Sequence, residues 1–76
     1  MNKSKRIELS KISAELEKLK DRIEQIMDEE QESFDNLSEG LQATMRGEQM
    51  ETAIENLEAA MESIDEAIEY IDEASI

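Results

Sequence analysis

Met50, Ile54, Leu57, Met61, Ile64, Ile68 and Ile71 follow one another at steps of four and three without an error. Such steps return to one side of an α-helix every two turns, whereas a strand would need steps of two. The stretch is therefore expected to be helical, with one continuous apolar seam. Ala53, Ala60, Ala67 and Ala74 recur beside that seam and widen it. A small residue at such a position lets another helix approach closely.

A second seam lies nearer the start. Leu9, Ile12, Leu16, Leu19, Ile23 and Ile26 are spaced by three and four. It fails after Ile26, where Glu30 takes the next position. Met27, Phe34, Leu37 and Leu41 continue an apolar stripe displaced to one side, and Ile7 lies off the seam. Between the two seams the run "FDNLSEGLQATMRGEQ" reads as a connection. Asp35, Asn36, Ser38 and Gly40 are poor in helix interiors and good in turns and caps. Thr44 is the expected N-cap of the second helix, with Glu48 and Glu51 near its positive end. Leu37 and Leu41 are expected to fold back over the end of the bundle.

The chain has 76 residues, no proline and two glycines, Gly40 and Gly47. The expectation is one domain spanning 1–76 and an all-α fold. The helices should run from about 5 to 35 and from about 45 to 75, with a connection over about 36–44. Helices of that size are about 45 Å long and should fold back as an antiparallel helical hairpin. A two-helix hairpin leaves part of each apolar face wet. A homodimer of hairpins forming a four-helix bundle is expected on that ground. A single chain covering the face with another protein, or a different oligomer, would answer the same need.

Charge is the second constraint. There are 21 acids against eight bases, a net charge of −13. From Met1 to Arg22 the balance is +3, from Ile23 to Arg46 it is −6, and from Gly47 onward ten acids meet no base. An antiparallel hairpin would bring Lys3, Lys5, Arg6 and Lys11 toward Asp65, Glu69, Asp72 and Glu73. At the opposite end Asp28, Glu29, Glu30, Glu32, Asp35, Glu48 and Glu51 should crowd together. Within the second helix, Glu58 with Glu62, Glu62 with Glu66, Asp65 with Glu69, and Glu69 with Glu73 are like-charge pairs four apart. Each costs a few tenths of a kcal/mol. A bundle selected for stability alone would mix lysine into these positions.

Most chemistry is disfavoured. The chain lacks cysteine and histidine, and with them the thiolate sites, the commonest general base and the commonest transition-metal ligand. Paired carboxylates need a cleft with unequal environments, which a thin bundle does not offer. "DEEQESFDNLSE" is acidic but lacks the glycine and the spacing of an EF-hand loop. No enzyme activity, metal or cofactor is expected. The basic start lacks the apolar run of a secretory signal, and no segment has the ~18 apolar residues of a membrane span. A cytoplasmic location without membrane contact is the expectation. The overall acidity disfavours direct nucleic-acid binding and favours basic protein surfaces.

The stretch "NLSEGLQATMRGEQMETAIENLEAAMESIDEAIEYIDEA" resembles small acidic helical proteins encoded by phages and mobile elements of Gram-positive bacteria. Their recurring pattern is matched by Asn36, Leu37, Glu39, Gly40, Leu41 and Gln42, then Arg46, Gly47 and Glu48, with Ser38 where the pattern has proline. The resemblance covers the second half of the chain. It implies a small protein that binds and blocks a host factor.

These readings converge on a non-enzymatic, acidic protein-binding module, an inhibitor or modulator occupying a basic surface of a nucleic-acid-binding or host-defence protein. The candidate surface is Glu55, Glu58, Glu62, Asp65, Glu66, Glu69, Asp72 and Glu73. The rival is a structural or adaptor bundle protein whose acidic coat serves only solubility.

Overall fold

The computed structural model covers Met1–Ile76. It contains α1 (Lys3–Asp35), α2 (Glu39–Gln42) and α3 (Met45–Ala74), and no strand. The two long helices pack against each other as a hairpin, giving a rod of 58 × 15 × 11 Å between Cα extremes.

Each helix begins at a side chain that accepts an otherwise unpaired backbone N–H. Asn2 accepts from the Lys5 amide at 2.8 Å, Ser38 from Leu41 at 3.3 Å, and Thr44 from Gly47 at 3.5 Å. Thr44 thus caps α3 where the sequence placed it. Part of the expected connection is itself helical, since Ser38 starts the single turn of α2.

Three contacts fix the antiparallel register. The Ser13 hydroxyl donates to Asp72 Oδ1 at 3.2 Å, and Lys20 Nζ donates to Asp65 Oδ1 at 2.7 Å. Seven residues forward along α1 thus answer seven residues back along α3. The terminal ammonium of Met1 reaches the Ile76 carbonyl at 3.4 Å.

The side of α1 that meets α3 differs from the expected seam. The residues turned inward are Leu9, Ser13, Leu16, Lys20, Ile23, Met27, Glu30 and Phe34, again at steps of four and three. Ile12, Leu19 and Ile26 are left 45, 57 and 50% exposed. The reason lies in the displaced stripe. A nearly straight helix presents one side to one neighbour. Only the side carrying Leu9, Leu16 and Ile23 also brings Met27 and Phe34 onto α3. Ser13 and Lys20 come with that choice, and their polar ends are satisfied by Asp72 and Asp65. On α3 the expected seam holds throughout: Met50, Ile54, Leu57, Met61, Ile64 and Ile71 are half-buried and Ile68 is buried.

The elbow is held by Gln42 and Gly47. The Gln42 side-chain amide donates to the carbonyls of Phe34 and Leu37 at 3.1 and 3.2 Å, tying α2 back onto the end of α1. Gly47 is buried against the backbone of Gln42. Leu37 is half-buried at this end as expected, whereas Leu41 is 53% exposed and does not plug it. The turn of α2 points Leu41 outward while Gln42 points in.

Candidate protein-binding face

The eight acids singled out on α3 are all exposed. Their spacing sorts them into rows. Glu58, Asp65 and Asp72 recur every seven residues, as do Glu55, Glu62 and Glu69, and then Glu66 and Glu73. A heptad returns a helix close to the same azimuth, so each row runs along the rod. The first row borders α1, where Asp65 takes Lys20 and Asp72 takes Ser13. The other two rows turn progressively away from α1.

Lys20 supplies the only ion pair between the helices, and it also approaches Glu17 at 3.4 Å within α1. Its ammonium is held above the ordinary lysine range, first by the hydrogen bond to Asp65, against desolvation, with a further contribution from Glu17. A raised lysine stabilises a fold while protonated. This contribution therefore persists through neutral pH and is lost only as pH climbs through the alkaline lysine range. Lys20→Met should leave the thermal midpoint unchanged or raise it, because Asp65 stays solvated and an apolar side chain suits the seam. A clear fall in the melting temperature, followed by circular dichroism, would show that the pair contributes net stability.

The expected pairing of Lys3, Lys5, Arg6 and Lys11 with the end of α3 does not form, since none of the four makes an ion pair. Register explains three of them. Arg6 lies seven residues before Ser13, about 10.5 Å further along the axis than Asp72, and Lys3 and Lys5 lie beyond it. Lys11 sits on the side of α1 away from α3. The acids of α3 other than Asp65 are thus unanswered by any base in the chain, and its last turn carries none.

The elbow end is equally one-signed. Glu51 and Glu55 border a shallow groove with Gln31, Phe34 and Ile54, and Arg46 makes no ion pair. Glu30 is half-buried at its seam position. No three carboxylates converge with the geometry of a metal site.

No protein-family model, curated protein or solved structure matches the chain. Its functional reading rests on this geometry.

The two sides of the hairpin differ in kind. On one, the seam closes with Ser13–Asp72 and Lys20–Asp65. On the other, Leu16, Leu19, Ile23 and Ile26 of α1 and Ile64 of α3 line an open, almost wholly apolar groove, with Arg22 at its edge. Sequence reasoning counted Ile12, Leu19 and Ile26 as core and overlooked Lys20, Gln42 and Gly47. A glycine inside a helical pattern was a usable signal for Gly47. For Lys20 the signal was its place in the column of Leu9, Leu16, Ile23 and Met27. No helix is long and apolar enough to cross a membrane.

Proposed function

We propose that this chain is a non-enzymatic acidic protein-binding module that occupies a basic surface of a nucleic-acid-binding or defence protein in the cytoplasm. The supporting observation is the unanswered acid of α3. Ten carboxylates follow Gly47 with no base among them, and only Asp65 is paired with one from α1. Over Ala60–Glu73, its last two complete heptads, α3 carries three acids per ~10.5 Å of helix, or one charge per ~3.5 Å. That density is close to the ~3.4 Å per phosphate along one DNA strand. Rows of carboxylates on a stiff rod suit a groove built to receive phosphates. The resemblance to phage and mobile-element proteins fits an inhibitor or modulator of a host factor.

The test is partner capture from a host lysate across a salt series, with Glu55→Gln/Glu62→Gln/Glu69→Gln as the comparison. The triple variant should lose the partner, and rising salt should release it from the native chain. The same variant removes the like-charge pairs made by Glu62 and Glu69 and should gain about 1 kcal/mol of stability. A partner retained through the substitutions and through high salt would overturn the electrostatic reading.

A second reading is favoured by the exposed Ile12, Leu19 and Ile26. In it the hairpin is a structural or adaptor module and the acid is a solvated coat. Its mark would be sensitivity to Ala60→Leu or Ile64→Asp with indifference to charge swaps.

A further inference from the structure

We infer that the chain forms a two-fold dimer in which Ile12, Leu19 and Ile26 of α1 pack onto Ala74, Ala67 and Ala60 of α3 of a second copy. This rests on the paired-hairpin reading of the sequence and gives it a face and a symmetry. It does not depend on the acidic partner.

The alanines lie on the same side of the hairpin as the exposed ridge. Ile64 lines the groove with Leu19 and Ile26. Ala60 and Ala67 flank Ile64 at four residues before and three after, which is the same helix side. Asp65 and Asp72 mark the opposite side. The register set by Ser13–Asp72 and Lys20–Asp65 also levels the two sets. To within one residue, Ile12 is level with Ala74, Leu19 with Ala67, and Ile26 with Ala60. One hairpin therefore presents a large residue beside a small one at each level.

A two-fold axis parallel to the helices lays each large residue over the small residue of the second copy. The alternative axis, across the helices, sets ridge on ridge and alanine on alanine, which leaves clashes on one side and voids on the other. Self-complementarity of this kind is what an isologous interface requires.

Charge fits the same occupant. The next column outward from the alanines is Gln49, Asn56, Ser63 and Tyr70, none of them charged in a helix otherwise dense with acid. A solvated coat would have no reason to spare that strip. At the rim, Lys18 comes level with Glu66 of the second copy and Lys11 with its Glu73. Neither lysine makes an ion pair within its own chain.

Area fits as well. The accessible surface is 5838 Å² for 8.7 kDa. A compact folded monomer of that mass would expose about 4,700 Å². The excess of about 1,100 Å² per chain is what one partner of an obligate homodimer contributes, against about 800 Å² in a standard complex.

Two measurements test this on the full chain. Sedimentation at micromolar concentration should give twice the 8.7 kDa chain mass. Leu19→Glu should weaken the dimer by at least about 100-fold, because the buried charge acts twice across a two-fold. Disulfide trapping covers the case in which that variant fails to fold. The chain has no cysteine, so Glu15→Cys/Tyr70→Cys adds the only two thiols. Glu15 flanks the ridge and Tyr70 flanks the alanines. They sit on opposite outer edges of one hairpin and come level across the proposed axis. Oxidation should give a covalent dimer whose peptides link 15 to 70. A single 8.7 kDa species would overturn the pairing itself. A dimer linked 15 to 15 and 70 to 70, or a dimer that does not link at all, would overturn this face and axis while leaving the pairing in place.

Discussion

Gly47→Ala should open the elbow and destabilise the hairpin by about 1–3 kcal/mol, the usual cost of forcing an extra carbon into a packed site. A Cβ at position 47 would lie 2.1 Å from the Gln42 carbonyl oxygen, 2.6 Å from its carbon and 2.7 Å from its Cα. All three are backbone atoms, so no side chain can swing aside. α3 would have to move away from α2, and the Thr44 cap and the Gln42 amide bonds to Phe34 and Leu37 would move with it. The helix-propensity gain of alanine over glycine, about 1 kcal/mol, opposes this and is the smaller effect. For a chain of this size the melting midpoint should fall by about 4–20 °C. Gly40→Ala is the control. Nothing lies within 4 Å of a Cβ there, and Gly40 has no positive φ. That variant should gain about 0.5–1 kcal/mol from propensity and a stiffer unfolded chain. Equal melting curves for the two alanine variants would refute the close approach at Gly47.

Ile68→Ala should cost about 2–4 kcal/mol, and Ile68→Asp should abolish the hairpin. Ile68 is the one apolar side chain that a single chain buries, at 9% exposure, and no side chain is fully buried. A core this thin gives a stability of only a few kcal/mol, so losing one isoleucine removes most of it. Urea unfolding followed by circular dichroism measures this, and a midpoint unmoved by Ile68→Ala would place the core elsewhere. The contrast with Leu19 is informative. Leu19 is more than half exposed in one chain. Its replacement by glutamate should spare the hairpin and act only where a second copy is packed, whereas Ile68 acts on both.

The connecting segment shows how a local pattern acquires a reason. Asn36, Ser38 and Thr44 looked like turn and cap chemistry in the sequence, whereas Gln42 and Gly47 gave no such reading. In the fold Asn36 closes α1, its N–H donating to the carbonyl of Glu32 while the Leu37 N–H donates to that of Phe34. Gln42 ties α2 to α1, Thr44 opens α3, and Gly47 admits the close approach. The acids of the candidate face were legible as charge, residue by residue. Which of them are answered was not. Asp65 and Asp72 find Lys20 and Ser13 only because of the register between the helices, and the basic start of the chain lies too far along the axis to substitute.

Periodicity and capping are properties of neighbours within a few residues, and they determined two long helices, a break near residues 36–44, the Thr44 cap and the seam of α3. The phase of α1 is a different kind of quantity. Its apolar residues cover two adjacent columns, one through Ile12, Leu19 and Ile26 and one through Met27 and Phe34, with Leu9, Leu16 and Ile23 common to both. Local spacing favours the first, since Ser13, Lys20 and Glu30 interrupt the second. Only packing against α3 over the whole length chose the column that reaches Phe34. That choice turned Ser13 and Lys20 inward and left three large apolar side chains at the surface beside a row of alanines. A stripe of residues within one helix is written in the sequence. The neighbour it meets is decided between helices, where burial along the entire rod outweighs the regularity of any single seam.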